Sequence, residues 1–321
     1  MTVPRVGAII ILNWRKADMT VAVARSLESL GDWEVVVVDN GSGDGSADII
    51  EGETSATVLR LPENVGFARG VNAGLRYVLS TGAQFVAFVN NDALVHPSAF
   101  RHAQAALAPD PGIGLLGGRI DRPDGSSWYG GGSLHLVRGA VSAVPRRRAD
   151  VERARDVTFV TLAFAITRAD VIRHVGLLAE EYFFGQEEWD YSLRMRRAGY
   201  RLRYEPDVHC VHGGDGSHNN LSPQFVYNGY RNKILFQEKY LPRPAFLMWR
   251  TAFFIYALVG TSVRAAVSQS VAAPVMRTCA LEALRDHAPG KPVRRQDLVD
   301  FAARSGTEDV FRSVDEQGVD R

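Results

Sequence analysis

The residues best suited to chemistry stand where three apolar runs end. The stretch QFVAFVNND, residues 84–92, passes from five apolar residues into Asn90, Asn91 and Asp92. An apolar run of that length reads as a buried strand. Open α/β sheets bind their ligands just outside the carboxyl ends of the strands. A carboxylate there suits a divalent cation held against a phosphorylated ligand, which makes Asp92 the first candidate. A simple Asn-Asn-Asp turn leading to a helix near Pro97 would use the same residues. The second run, VVVVDNGSGDGS at 35–46, sets Asp39 at a strand end, followed by Gly41, Gly43 and Gly45. Glycines allow a tight turn, and the next helix offers unpaired N–H groups to an anion. An acidic residue at this place can accept from a ribose hydroxyl or a base N–H. The dinucleotide fingerprint instead sets its glycines after the first strand, so the order found here argues against a nicotinamide or flavin cofactor. The third run leads into ENVGFARGVNAG at 63–74, where Gly66 and Gly70 open a helix. Arg69 and Asn72 add a cation and an amide suited to a nucleotide's phosphates or sugar edge, although Arg69 could equally serve a surface ion pair.

Two further constellations lie downstream. FFGQEEWDYSLRMRRAGY carries Glu187, Glu188 and Asp190 just before a helix-like segment. Three carboxylates within four residues repel one another, which tends to raise at least one pKa. A raised carboxylate suits a general base near neutral pH; acidic residues also complement the positive end of a helix. Phe183, Phe184 and Trp189 could wall a sugar ring or pack in the core. EPDVHCVHGGDGSH supplies His209, His212 and His218. A neutral imidazole can complete the coordination of a cation already held by a carboxylate and phosphates. Strand alternation puts His209 and His212 on opposite faces, and His212, beside Gly213 and Gly214, has the more open position.

These residues need a frame. Residues 6–12, 34–38, 57–61 and 85–89 read as strands; 17–30, 44–51 and 67–79 read as helices between them. That alternation argues for a parallel sheet covered by helices. Beyond Pro111, 112–120 and 157–166 read as strands, 122–144 as Gly-rich loops and hairpins, and 169–175 and 189–198 as helices. Residues 201–204 and 208–211 read as short strands, and 223–240 and 244–269 as helices. Arg138, Arg146, Arg147, Arg148, Arg153 and Arg155 gather around 145–155, either as a solvated loop or as a basic lid over an anionic ligand.

Composition narrows the class. The 321 residues, 46% apolar and 23% charged, have the make-up of an ordinary globular protein. Net charge is +1, so no global field favours nucleic acid. Two cysteines, Cys210 and Cys279, make no metal cluster and no disulfide framework, which fits a reducing compartment. The first residues lack the pattern of a signal peptide, and the chain is expected in the cytoplasm. The apolar segment 246–259, interrupted by Arg250, is shorter than the roughly 20 residues of a bilayer span. It reads as a packed helix, as a helix lying on the inner membrane surface or, least in keeping with its length, as a transmembrane span.

Taken together, VVVVDNGSGDGS, ENVGFARGVNAG, FVNNDA, FFGQEEWDYSLRMRRAGYRLRYEPDVHCVH and the YRN of Tyr230–Asn232 resemble a known family. Across roughly residues 6–239 the chain looks like a family 2 inverting glycosyltransferase of the GT-A fold, in its rhamnosyltransferase-like branch. The resemblance implies an α/β fold with a single mixed, mainly parallel sheet flanked by helices, and a C-terminal helical extension. It implies a catalytic domain over 1–240, with a nucleotide-binding half to about 120 and an acceptor-binding half to 240. A helical extension would follow over 241–288, then a charged tail, 289–321, of disordered composition. By the same resemblance Asp92 binds Mg²⁺ or Mn²⁺ bridging a diphosphate and His212 joins that metal. Asp39 contacts the base or ribose, Glu188 is the base, and Asp190 orients the acceptor or the base. Asn13, Asn40, Asn64, Gly66, Arg69, Asn91 and Glu187 complete the nucleotide-sugar site. Two departures stand out. Asn90 replaces the first Asp of the family's metal motif, so the diphosphate must supply much of the charge, and Glu188 stands where Asp is more usual.

The implied reaction moves a sugar from a nucleotide diphosphate sugar, dTDP-rhamnose or another dTDP- or UDP-sugar, to a hydroxyl. The acceptor would be a glycan, a lipid-linked glycan or a natural product, as in polysaccharide biosynthesis. Two other classes compete. A nucleotidyltransferase would need a basic, Gly-rich loop after the first strand, where Ile11-Leu12-Asn13-Trp14 stands instead. A non-catalytic sugar-nucleotide or glycan-binding module would bind nucleotide without transfer. The oligomeric state, a dimer included, is open from sequence.

Overall fold

The computed structural model describes residues 5–145, 147–213, 222–260 and 272–305. They fall into two compact units. The first holds the residues up to Leu134, then Val141–Ala179, then the chain from Glu187 through 213; the second holds His135–Ala140, Glu180–Gln186 and the described residues from 222 onward.

The first unit alternates strand and helix as the apolar pattern requires: Gly7–Asn13 (β1), Ala17–Leu27 (α1), Trp33–Asp39 (β2), Ser46–Glu53 (α2), Thr57–Arg60 (β3), Phe67–Thr81 (α3) and Phe85–Asn90 (β4). Then come Ala93–Val95 (β5), Ser98–Leu107 (α4), Ile113–Asp121 (β6), Ser127–Tyr129 (β7), the short strands Ser133–His135 (β8) and Ala140–Ser142 (β9), whose residues 135–140 are counted in the second unit, and Arg155–Val157 (β10). Phe164–Arg168 (β11), Ala169–Val175 (α5), Glu187–Arg197 (α6) and Arg201–His212 (β12) complete it. The main sheet runs β10-β12-β6-β11-β4-β1-β2-β3, with β5 on β12 and β7 on β6. β1 is parallel to both β2 and β4, β2 to β3, and β6 to β12, while β11 runs antiparallel between β4 and β6. This is the mixed, mainly parallel sheet flanked by helices that was expected.

Period-2 alternation in buried strands explains the two layers. Ile9, Ile11, Val35 and Val37 face one side with α1 and α4, packing on Val21, Ala24, Leu27, Phe100 and Leu107. Ala8, Ile10, Val36 and Val38 face the other, against Val71, Leu75 and Val78 of α3 and Tyr191 and Met195 of α6. Asn13, Asp39 and Asn90 therefore end three neighbouring parallel strands, in register as Asn13↔Asp39 and Leu12↔Asn90.

The second unit is built from Pro223–Tyr240 (α7), Arg243–Ile255 (α8), Ala272–Arg285 (α9) and Arg295–Ser305 (α10). Its core gathers Tyr227, Ile234, Phe246, Phe253, Cys279, Ala283, Leu298 and Phe301. Ser222 caps α7 by accepting from Phe225 N, with Pro223 in the first turn.

Four expectations need correction. Residues 157–166 are not one strand: β10 ends at Val157 and β11 begins at Phe164, and the chain between them turns its polar atoms toward α6. The two short strands of 201–211 are one twelve-residue strand whose register shifts between Glu205 and His209, so the irregularity at Pro206 bends the ladder without ending it. α6 starts at Glu187 rather than Trp189, which puts the acidic residues inside its first turn. The helix expected over 244–269 leaves α-geometry after Ile255, where Tyr256–Gly260 form a π-turn; the remainder lies outside the described residues, as do Arg146, His218 and 306–321. Both cysteines are buried and free.

Candidate active site

Two polar clusters form where the parallel strands end. In the first, Asn13 and Asp39 face each other across β1 and β2. Asp39 Oδ1 accepts from Asn13 Nδ2 at 2.8 Å and from Ser42 Oγ at 2.5 Å, and Oδ2 accepts from Ser42 N at 3.2 Å. Thr20 Oγ1 donates to Asn13 Oδ1 at 2.8 Å. Both side chains are buried, so this chain of bonds replaces water and locks the carboxylate's orientation. Asn40 binds the loop opening α3: its Nδ2 donates to Asn64 Oδ1 and Gly66 O, and its Oδ1 accepts from Val65 N at 3.1 Å. Asn64 Oδ1 also accepts from Gly66 N at 3.0 Å. The two loops touch so closely that a Cβ at Gly41 would lie 2.2 Å from the Glu63 carbonyl carbon, and Gly41 holds φ at 67°. Arg69 sits half-buried in the first turn of α3. Asn72 is spent elsewhere: it clips Leu178 N and O, both at 2.9 Å, and packs α3 against the chain before α6.

The second cluster joins β4, β5 and the end of β12. His212 Nε2 lies 3.2 Å from Asn90 Nδ2 and 3.2 Å from Asp92 Oδ1. Asn90 Nδ2 can only donate, so in this contact Nε2 is the acceptor and its one lone pair is engaged with Asn90. Asp92 Oδ1 then faces an acceptor and takes no hydrogen bond although it is buried; the 3.2 Å approach would be an ion pair only with a protonated ring. Asp92 Oδ1, buried and without a hydrogen bond, fits a cation, and His212 Nε2 would join it by exchanging the Asn90 bond for the metal. Among the described residues no group of three or more His, Cys, Asp or Glu forms a fuller cage, so the pair leaves most of a metal's coordination to a ligand. Trp128 of β7 stacks on His212, ring centroids 4.8 Å apart and planes 8° apart, and Gly213 N donates to Asp92 O at 2.7 Å. Asn91 reaches toward Thr20, Nδ2 to Oγ1 3.4 Å. His209 points away, to Asp121 at 3.1 Å.

The acidic residues of α6 take up different roles. Glu188 Oε1 accepts from Leu162 N at 2.7 Å and from Thr161 Oγ1 at 3.0 Å. Among the described residues both bonds fall on Oε1, leaving Oε2 for another partner. Part of the side chain stays accessible, yet burial of the carboxyl end pushes its pKa up to about 7, against the pull of these two bonds. The rise comes from desolvation rather than from repulsion by Glu187 and Asp190. Asp190, fully buried, instead accepts from Arg194 Nε at 2.6 Å, and Arg194 continues to Val175 O and Leu177 O. Glu187 is buried at the head of α6. Thr161 and Leu162 N, which hold Glu188, gave no signal in an apolar stretch; Thr20, Ser42 and Trp128 are further partners missed, and of these three only Ser42 sat inside a motif. In the arginine-rich stretch, Arg155 donates to the carbonyls of Gly130, Gly131 and Asp150, which makes it a loop brace.

This geometry can be set beside known proteins. The sequence profile of Glycosyl transferase family 2 matches residues 9–176. Pre-mycofactocin glycosyltransferase of Mycobacterium tuberculosis is 30% identical over 59% of this chain and 39% of its own length. N-acetylglucosaminyl-diphospho-decaprenol L-rhamnosyltransferase of the same organism is 25% identical over 56% of this chain and 66% of its own. The chain spans less than two thirds of the curated relatives it matches, from 26% to 66% of their lengths. The solved mannosyltransferase PcManGT of Pyrobaculum calidifontis, in complex with GDP-Man and Mn²⁺, superposes with a TM-score of 0.52 at 17% identity, covering 88% of this chain and 86% of its own. That likeness establishes the shared GT-A architecture. With more than half of its residues matched by the profile, the chain belongs to glycosyltransferase family 2.

Proposed function

We propose that the protein transfers a sugar from a nucleotide diphosphate sugar to an acceptor hydroxyl, with inversion at the anomeric carbon. The single observation that carries the reading is Glu188: a carboxylate with a pKa of about 7, fixed through Oε1 and open at Oε2. In the proposed step the acceptor oxygen attacks the anomeric carbon and the bond from that carbon to the diphosphate oxygen breaks. The electron pair leaves with the nucleoside diphosphate, and the acceptor's proton passes to Glu188 Oε2. Asp39, oriented by Asn13 and Ser42, binds the nucleoside; Asn40, Asn64, Gly66 and Arg69 shape the loop beside it, with Asn91 and Glu187 completing the site. Mg²⁺ or Mn²⁺, held by Asp92 and His212, would neutralise charge on the diphosphate. Asp190 acts through Arg194 to keep α6 in place. The donor is dTDP-rhamnose or another dTDP- or UDP-sugar, and the acceptor a glycan, lipid-linked glycan or natural product; the relative named as a rhamnosyltransferase is the support for this choice.

Attachment to the inner membrane surface through 246–259 is part of the same proposal. Leu247, Met248, Phe254, Ile255, Tyr256 and Val259 are exposed, and among the described residues no helix is long and apolar enough to cross a membrane. The decisive experiment is a thermal-shift screen of nucleoside diphosphates and their sugars with Mn²⁺, since a ligand of the native state raises its apparent stability. It is followed by transfer assays of the sugar that binds. Glu188→Gln should keep donor binding and lose turnover by roughly 10²–10⁴-fold; a variant that turns over normally removes Glu188 from the base role.

A further inference from the structure

The six residues between β10 and β11 leave strand geometry, so their backbone groups must find partners away from the ladder. Thr158 N and Phe159 N both donate to Gly132 O at 3.2 Å, and Phe159 O accepts from Tyr129 OH at 2.7 Å. At the far end Ala163 O accepts from Asn90 N at 2.9 Å. The three residues in the middle are held by α6. Val160 N donates to Ser192 Oγ at 3.2 Å, and the same hydroxyl donates to Val160 O at 3.4 Å. Leu162 N and Thr161 Oγ1 donate to Glu188 Oε1. Val160, Thr161, Leu162 and Ser192 are each at most 3% exposed, so solvent does not make good a bond lost here.

Ser192 follows Glu188 by four residues on α6, so the two side chains share a face of the helix. A serine inside a helix can bond back to the carbonyl four residues earlier; this one turns outward to Val160. The two attachments differ in kind. Bonds to Glu188 Oε1 are strong while the carboxylate is charged and weaken once it takes up a proton. Those of Ser192 join neutral groups and are the same in both states.

We infer that Ser192 is a positioning residue for the base: it fixes residues 160–162 against α6 and so keeps the Thr161 and Leu162 donors on Glu188. The inference rests on the reading of Glu188 as the base, and every residue it uses belongs to the first unit. Ser192→Ala removes both bonds and leaves Val160 N without its partner. Ser192→Cys keeps a weak donor and acceptor in the same place, so a milder form of the effect is measurable if the alanine variant folds poorly.

Hydrogen exchange reads the attachment without substrate. The amides of Val160 and Leu162 should exchange roughly tenfold faster in Ser192→Ala and less so in Ser192→Cys. Unchanged exchange in a folded variant overturns the inference whatever the reaction proves to be. Turnover is read as nucleoside diphosphate released from dTDP-rhamnose with Mn²⁺ across pH 5.5–9.5. Loosened donors favour the ionised carboxylate less, so the acid limb of kcat/KM should move toward alkaline pH. Glu187 and Asp190 flank Glu188 on α6, and burial of the Tyr129 hydroxyl of β7 keeps it neutral over this range. The rate should fall roughly two- to fivefold at pH 7 and recover at pH 9, with the donor KM within about threefold. Adding Ser192→Ala to Thr161→Val should move the limb by less than the sum of the two shifts, because one of the donors being held is already gone. A fully additive shift, a loss of equal size at every pH, or a rise in donor KM with kcat intact makes Ser192 a packing residue only and sinks the inference. Normal turnover by Glu188→Gln alone would instead remove the base reading, and the exchange result would still show whether Ser192 holds the segment.

Discussion

The tuning of Glu188 can be tested through Thr161. Burial pushes this carboxyl up to about 7, and hydrogen bonds from Leu162 N and Thr161 Oγ1 oppose the rise by favouring the ionised form. Thr161→Val removes one donor and keeps the shape of a side chain that is 3% exposed. A hydrogen bond to a charged group contributes about 1.5–3 kcal/mol. Leu162 N still serves the same oxygen, so the lower end applies, and about 1.4 kcal/mol corresponds to one pH unit. The carboxyl should then titrate near 8 instead of near 7. The sign follows from the role: a base works ionised, so the rate rises with pH through its pKa, and a higher pKa moves the acid limb of kcat/KM toward alkaline pH. At pH 7 the ionised fraction falls from about one half to about one tenth, a loss of about fivefold, while at pH 9 the two enzymes should nearly coincide. The assay is nucleoside diphosphate release across pH 5.5–9.5, with buffers overlapped. A limb that stays in place, or a loss of equal size at every pH, would show that Thr161 does not act on the ionisation of this carboxylate.

Three other outcomes follow from the same geometry. Glu188→Gln should stabilise the fold at pH 8: a carboxyl raised from 4.5 to about 7 holds its full stability below pH 4.5 and loses it as pH rises through 7. The loss is about 2 kcal/mol after discounting its partial exposure, read by urea unfolding at pH 4.5 and pH 8; equal stabilities at both would contradict the shift. His212→Ala and Asp92→Ala should each weaken Mn²⁺ binding in the presence of UDP by tenfold or more, measured by calorimetry, and unchanged affinity in either case would exclude that side chain as a ligand. Phe254→Glu should abolish sedimentation with anionic vesicles without touching turnover of a soluble acceptor, since the ring is 46% exposed on α8; a wild-type protein that does not sediment removes the membrane proposal.

The strand ends were legible because each rests on a local contrast. Five apolar residues followed by Asn-Asn-Asp, or four valines followed by Asp-Asn-Gly, need no knowledge of the rest of the chain, and β2 and β4 end within one residue of where that contrast falls. The partners of those ends were not legible, because they are chosen by sheet order. Asn90 meets His212 across 122 residues because β5 pairs with β12, His212 opposite Ala93. Thr161 meets Glu188 because the chain breaks from strand geometry between β10 and β11, where hydrophobicity alone argued for an unbroken strand. The raised carboxyl was foreseen from crowding of like charges, and the direction held for another reason: helical spacing turns Asp190 toward Arg194, and burial of Glu188 raises its pKa. Asn90 shows the same limit from the other side. Read along the chain it is a metal motif with a charge missing. In the fold its amide donates to His212 Nε2 and holds the ring beside Asp92, with Nε2 3.2 Å from Oδ1. An aspartate at 90 would add a charge but remove that donor, and the imidazole would then be drawn to carry a proton between two carboxylates. A neutral residue at 90 therefore suits the proposed metal site, in which Asp92 and His212 would leave the rest of the coordination to phosphate oxygens.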